Sequence, residues 1–326
     1  MGVQITIIGL GQVGSSIGLA LAEYKTIKRI GHDKDGESAR AAQKAGAVDE
    51  TRFNLPASVG GSRLILLCLP LNEIRKTLEV IAPDLDEGAV VMDTAPAKTV
   101  VAAWAKELLP AGRYYVGLAP AAGASYLHGV DFGVESARAD LFKDGLFMVN
   151  APYGTPEEAV KLAIDLISLL GAQAMLSDEM EADGLLASTH ILPQLLSAAL
   201  IDATMDRPGW QEARKLSARP YASVSGGLAY HDDADSLGIA ALGNRENVSR
   251  VIDNLMVSLQ ELRDRIKAGD EESVTTFLTD AFQARVRWLE ERHKADWEGI
   301  KKEKIDIPSM SERLFGTLWS PPKKRE

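Results

Sequence analysis

Short apolar runs alternate with helix-like segments over the first 150 residues. The runs occupy 3–8, 27–32, 64–69, 89–92, 114–118 and 146–150, and Pro56, Gly60, Gly61, Pro70, Pro83, Gly88 and Pro110 punctuate the stretches between them. Continuous apolar runs of this length suit strands buried on both faces, and the alternation predicts βα units around a mostly parallel, doubly wound sheet. The pattern changes after Ala151-Pro152-Tyr153-Gly154-Thr155-Pro156. Thr155 reads as an N-cap with Pro156 at the first helical position, and Glu157 and Glu158 suit the positive end of a helix that stops at Gly171. Residues 172–176 would add one more strand. From Ser177 onward helical periodicity dominates. Ser177 or Asp178 caps an apolar helix reaching about residue 203, and 245–267 and 273–293 carry amphipathic stripes. The segment 207–240, rich in Gly, Ser and Asp, reads as loop and short helix. The chain therefore divides into a sheet domain over 1–153, with the sheet extending to 176, an all-α domain over 177–300 and a tail over 301–326. In the tail Phe315, Leu318 and Trp319 could dock on the body ahead of the basic end Lys323-Lys324-Arg325.

Composition narrows the class. The chain has 326 residues, 46% hydrophobic and 25% charged, with a formal net charge of −10. These are values of an ordinary globular protein of two domains, and the acidity argues against a nucleic-acid partner or adsorption to anionic membranes. Cys68 is the only cysteine, which excludes an intramolecular disulfide and any multi-cysteine metal site. Inside its apolar run it reads as a small buried hydrophobe. No charged leader precedes the first run and no apolar run reaches the length of a membrane span, so the expectation is a cytoplasmic protein. The five histidines, at 32, 128, 190, 231 and 293, show no metal-ligand spacing.

The first strand runs into Gly9-Leu10-Gly11-Gln12-Val13-Gly14 and then into a helix. This is the context in which a GxGxxG pattern binds a dinucleotide. Gly9 permits the tight turn, Gly11 lets backbone approach a pyrophosphate, Gly14 lets helix and strand pack, and the helix N-terminus offers free N–H groups. The second run ends in Asp33, whose carboxylate would accept the adenosine ribose hydroxyls and repel a 2′-phosphate. NAD is favoured over NADP, with Lys34 beside Asp33 as the opposing feature. The cofactor contacts expected here are Gly9, Leu10, Gly11, Gln12, Val13, Gly14, Asp33 and Lys34, with Leu69 and Pro70 closing a later strand.

These features resemble the prephenate/arogenate dehydrogenase family of tyrosine biosynthesis. The resemblance continues through Leu69-Pro70-Leu71, Asp93 to Lys98, Gly117 to Gly123, Leu141-Phe142, Glu181 to Asp183, Ser188 to Pro193 and Asn244 to Val248. It implies a Rossmann-type domain followed by an all-α dimerisation domain, a homodimer, and a small-molecule substrate. It also implies hydride transfer to NAD from the ring carbon bearing a hydroxyl, with loss of carbon dioxide aromatising the ring. The family places a histidine before a proline, a serine between Asp and Lys, and an arginine in the helical domain. Here those positions hold Ala119 before Pro120, Pro96, and a residue near Leu228. The resemblance is thus to a diverged member with an altered substrate site, expected to turn prephenate over weakly or not at all.

Three residues stand as catalytic candidates. His190 lies near the family's Ser-His-Leu-Pro-His segment and would act as acid/base or hydrogen-bond partner at the nicotinamide, or else be satisfied in helix packing or at the dimer seam. Lys98 matches the family's lysine and would orient substrate or the loop below the nicotinamide, or else sit at the surface. His128 follows the altered motif and would reach the same cleft, or else be an exposed loop histidine. Pro96, Ala119 and Pro120 would line the substrate cleft. Arg245 and Arg219 are the arginines nearest to the missing carboxylate anchor. A β-hydroxyacid-dehydrogenase-like reductase and a cofactor-binding homologue without catalysis remain as alternatives. The first lacks a lysine early in the long helix, and the second would bind NAD without turnover.

Overall fold

The computed structural model describes residues 2–129, 132–229, 233–295 and 297. His231 and the tail with Phe315, Leu318, Trp319 and its basic end lie outside the described residues. The first part alternates β1 (Val3–Ile8), α1 (Gln12–Ala20), β2 (Ile27–His32), α2 (Gly36–Lys44), β3 (Glu50–Thr51), α3 (Leu55–Val59), β4 (Leu64–Leu67) and α4 (Leu71–Ile81). It continues through β5 (Val90–Asp93), α5 (Lys98–Leu108), β6 (Tyr114–Ala121), β7 (Leu146–Asn150), α6 (Glu157–Leu169) and β8 (Gln173–Ser177). The helices that follow are α7 (Glu179–Leu186), α8 (Leu192–Thr204), α9 (Trp210–Leu216), α10 (Arg219–Ser225), α11 (Ala234–Gly243), α12 (Arg245–Ala268) and α13 (Glu271–Lys294).

The strands form one sheet in the order β3-β2-β1-β4-β5-β6-β7-β8. Strand order reverses between β1 and β4, where open α/β sheets form a ligand crevice at their carboxyl ends. The sheet is parallel except at β7, which runs antiparallel to β6 with Ala119 opposite Met148. This is the mostly parallel sheet expected, and the one antiparallel pair arises where 3₁₀ turns and loop join β6 to β7, so the chain returns beside itself. The α6 crossover then makes β8 parallel to β7.

One face of the sheet is covered by α1, α2 and α6 through residues such as Ile17, Ala39, Leu162 and Leu166. The other is covered by α3, α4 and α5, and here the helical part joins the same core: Ala187, Ile191, Leu237, Ala240, Val248 and Val251 pack with Ile74, Leu78 and Val101. Beyond Val251 the stripes on α12 and α13 leave this chain's core, with Met256, Leu259, Ile266, Leu278, Phe282 and Trp288 exposed. The return along α13 brings Arg292 back to the sheet, where it donates to the Ala122 carbonyl and lies over the Trp297 ring.

Three local expectations are corrected. Pro156, not Thr155, is the N-cap residue of α6: its ψ is extended and its carbonyl accepts the first helical bonds, from Ala159 N and Val160 N. Within the segment read as loop and short helix, residues 234–243 form a helix that runs past its expected end at 240; the Asp233 carboxylate caps it and its Leu237 and Ala240 are buried. The helical segment Glu179–Thr204 is long and apolar enough to cross a membrane by length and composition, contrary to the reading from apolar runs. Scattered polar residues such as Asp183, His190 and Gln194 break its runs without adding much charge. Asp178 caps it, accepting from Glu181 N at 2.8 Å.

Gly14 is where helix and sheet come closest: a Cβ there would overlap the Gly9 carbonyl oxygen, with Ile7 and Cys68 close behind. Gly14→Ala is expected to cost about 1–3 kcal/mol through overpacking, read as a lowered urea midpoint. An unchanged midpoint would contradict the packing described.

Candidate active site

The strand ends around the switch point open into a cavity of about 1150 Å³. Gly9, Gly11, Gln12, Val13, Asp33, Lys34, Leu69 and Pro70 line it, together with Pro96, Ala119, Pro120 and His190. The residues expected to hold a cofactor and most of those expected at the substrate thus share one cleft.

Its cofactor end is built from the β1–α1 turn. Gly9 has φ +91°, which an L side chain rarely adopts, and a Cβ there would also overlap the Cys68 carbonyl. At Gly11 a Cβ would meet nothing within 4 Å and would stand in the open cleft, where a dinucleotide backbone needs the room. Leu10 and Gly14 do not reach the cavity. The Leu10 side chain is fully buried, and its N–H donates to Asp33 Oδ2 at 2.7 Å. Asp35 N donates to the other Asp33 oxygen at 2.8 Å, so backbone fixes the carboxylate at the tip of β2. Lys34 pairs with Glu73 at 2.8 Å on the rim, where the carboxylate raises the lysine pKa. His32 is held by the Arg52 carbonyl at 2.8 Å and also lines the cleft. These residues fit a nicotinamide dinucleotide: a glycine turn for the diphosphate, an oriented carboxylate for ribose and an apolar floor.

At the substrate end, the helix from α7 to α8 passes through a π-helical turn at Ala187–Ile191. A π-turn inserts an extra residue and re-aims the side chains on it, and such turns are frequent at functional sites. His190 lies on this turn and lines the cavity with Leu186. The apolar residues Pro96, Ala119 and Pro120 are part of the same lining.

Beneath this end lies a buried polar cluster. Lys98 Nζ donates to Asp93 Oδ2 at 2.9 Å and to the Leu118 carbonyl at 2.7 Å. The Tyr115 hydroxyl donates to Asp93 Oδ1 at 2.5 Å, and Ala95 N donates to Asp93 Oδ2 at 2.8 Å. Burial pushes the Lys98 pKa down while Asp93 opposes the shift, and burial pushes that of Tyr115 well up. The α5 N-terminus has no side-chain cap of its own. Asp183 of α7 accepts from Lys98 N at 2.7 Å and Thr99 N at 3.1 Å, and Asn244 Nδ2 donates to the Asp183 carbonyl at 2.7 Å.

The structure separates the other candidates from the cleft. Lys98 is wholly buried and holds the loop from behind; it is neither a surface lysine nor a cavity residue. His128 is exposed on the loop whose neighbours Leu127 and Gly129 line the cleft. Arg245 is exposed at the start of α12, away from the cavity lining, and Arg219 is exposed at the start of α10. Cys68 packs against the core with part of its surface on the cavity wall, and burial pushes its thiol up to about 12. Sequence reading missed Glu73, Tyr126, Arg138, Leu186 and Asp233, which reach the cavity from separate elements without a motif.

The chain is similar to known dehydrogenases. Residues 17–176 match the family model for the prephenate dehydrogenase nucleotide-binding domain, a match that starts beyond the glycine turn. A prephenate dehydrogenase of Lactococcus lactis subsp. cremoris is 26% identical over 315 residues, covering 94% of this chain and 82% of that protein. A cyclohexadienyl dehydrogenase of Zymomonas mobilis is 25% identical over 294 residues, covering 87% and 95%. The solved prephenate dehydrogenase from A. aeolicus, in complex with hydroxyphenyl propionate and NAD+, has a TM-score of 0.75 at 21% identity, covering 88% of this chain and 98% of that one.

Lys98→Met would leave the Asp93 carboxylate buried and unpaired. Loss of a buried partner costs about 3–5 kcal/mol, so urea unfolding should show a loss of that size. A stable variant defective only in turnover would instead assign Lys98 to the substrate.

Proposed function

We propose that the chain, whose residues 17–176 match the prephenate dehydrogenase nucleotide-binding domain, is a dehydrogenase of the prephenate/arogenate type that uses NAD to oxidise a cyclic hydroxy acid less charged than prephenate, with His190 at the reacting hydroxyl. The observation that carries the reading is the placement of His190, on its π-turn, in one cleft with the glycine turn and with Pro96, Ala119 and Pro120.

Bound NAD supplies the hydride acceptor. Gly9, Gly11, Gln12 and Val13 hold its diphosphate and Asp33 its adenosine ribose; the Asp33 charge at that position favours NAD over NADP. The histidine that the family carries before its proline is replaced by Ala119, and His190 takes over the hydrogen bond from the hydroxyl on the carbon being oxidised. It draws off the proton as charge develops there. Pro96, Ala119 and Leu186 keep water from the ring. Among the described residues the cations that line the cleft are Lys34, Lys76 and Arg138. Lys34 follows the ribose-binding Asp33, Lys76 lies on α4, and the Arg138 N–H is bonded to α1. Apolar Leu186, Pro96, Ala119 and Pro120 line the cleft together with His190, which suits arogenate, whose ammonium offsets one carboxylate, better than prephenate.

The second copy expected of the family would cover the exposed stripes of α12 and α13 and the apolar face of α7–α8, where Met180, Leu185 and Leu196 are exposed. Light scattering should give a dimer mass; a monomer at micromolar concentration would contradict this assembly.

With saturating NAD, arogenate should turn over faster than prephenate. His190→Asn should lower kcat by about 10²–10⁴-fold, the usual contribution of a general base, while the NAD dissociation constant stays the same. Robust prephenate turnover would overturn the substrate assignment, and an unchanged kcat in the variant would overturn the role of His190.

A further inference from the structure

The cleft also carries a cation for which the glycine turn gives no hint. Arg138 follows the 3₁₀ turn Val134–Ser136 and lines the same cavity as Gly11, Gln12 and Val13. Its loop is rooted in the core: Val134, Ser136 and Ala137 are buried before it, and Leu141 and Phe142 after it. Two side chains of α1 fasten this loop to the nucleotide helix. Ser16 Oγ, fully buried, accepts from Arg138 N at 3.0 Å, and Gln12 Nε2 donates to the Ser136 carbonyl at 3.4 Å. The guanidinium is held as well. Its Nη1 donates to the Glu135 carbonyl at 2.9 Å and the Ala137 carbonyl at 2.7 Å, and no carboxylate among the described residues pairs with it. Both Nη1 protons are used by backbone, which leaves Nε and Nη2 as an edge with three N–H donors.

That edge matches what a phosphate needs. A guanidinium offers paired parallel donors to phosphate oxygens, and one already held by backbone loses little further side-chain entropy on binding. The other cations on the cleft lack this placement. Lys34 is paired with Glu73 beside the ribose-binding Asp33, and Lys76 is exposed on α4. Around them the rim carries Asp33, Glu73 and Asp233, so an anion entering the cleft meets three carboxylates. A fixed positive charge beside the first turn of α1 offsets that repulsion where the diphosphate comes to rest.

We propose that Arg138 is a diphosphate clamp, closing over the cofactor from the β6–β7 connection opposite the glycine turn. This rests on the NAD reading above and adds to it a ligand from outside the glycine motif. The clamp also has a structural consequence. The loop that carries Arg138 begins next to the Tyr126–Leu127 part of the cleft, so a cofactor bound to Arg138 holds in place a segment that borders the substrate end.

The test is titration calorimetry of wild type, Arg138→Met and Arg138→Lys with NAD and with ADP-ribose, alongside saturation-transfer NMR with adenosine. Arg138 is exposed, so the variants should melt at the wild-type temperature without ligand, which separates lost contacts from lost folding. The proposal expects Arg138→Met to weaken NAD and ADP-ribose about tenfold or more, the size of a lost hydrogen-bonded charge contact, with Arg138→Lys in between and adenosine binding unchanged. It also expects a shallower dependence of NAD affinity on salt in Arg138→Met. Wild-type binding of NAD together with affinity in Arg138→Met within twofold would overturn the clamp and leave the NAD reading standing. Equal losses for adenosine and ADP-ribose would also overturn it, by placing the effect away from the diphosphate. Absence of NAD binding by wild type would overturn the NAD reading and the clamp together.

Discussion

The cleft depends on one buried ion pair. Lys98 and Asp93 are both fully buried, 2.9 Å apart, at the carboxyl edge of the sheet. Removing two charges from water is costly, and the pair persists because every neighbouring group contributes to it: the Leu118 carbonyl, the Tyr115 hydroxyl and the Ala95 N–H complete the hydrogen bonding. Each of these contacts fixes a piece of the site. The Ala95 bond sets the loop that presents Pro96, and the Leu118 bond sets the strand residue before Ala119. Burial keeps the Tyr115 hydroxyl protonated and donating. Through the backbone of Lys98 and Thr99 the same cluster meets Asp183, so the helical part of the chain caps a helix of the sheet part. That contact fixes α7, and the π-turn that carries His190 continues directly from it.

Around this anchor the cleft separates into two electrostatic environments. The cofactor end is polar and charged, with Asp33 held by two backbone N–H groups and Lys34, Glu73 and Arg138 nearby. The His190 end is mostly apolar. Pro96, Ala119, Pro120 and Leu186 give that end its apolar lining.

Much of this was legible in the sequence, and the reasons for the remainder are physical. The glycine turn and Asp33 could be read because dinucleotide binding is done by backbone geometry close in sequence, and the strands could be read because burial on both faces leaves unbroken apolar runs. For Lys98 the sequence left a role at the substrate, at the loop below the nicotinamide or at the surface open, since nothing local shows that Asp93, Tyr115 and Leu118 converge to bury it. Arg245 was placed at a helix start correctly, but whether that helix start faces the cleft is decided by how α12 packs. His190 could be singled out by its neighbours, whereas the π-turn beneath it has no sequence signature. Arg138 was invisible for the same reason as Asp233: each reaches the cleft from an element distant in sequence, whereas Glu73 follows Pro70 in the first turn of α4 and only its aim was hidden. The extent of the helix at 234–243 was hidden by a Gly- and Asp-rich setting in which the Asp serves as its cap.

The central claim is that one cleft brings the cofactor and His190 together, and a crystal structure of the protein with NAD bound tests it most directly. The account predicts the adenosine ribose on Asp33, the diphosphate between the glycine turn and Arg138, and nicotinamide C4 facing His190 across a space bounded by Pro96 and Ala119. A nicotinamide ring turned away from His190, with that side chain out of reach of any group bound at C4, would contradict it.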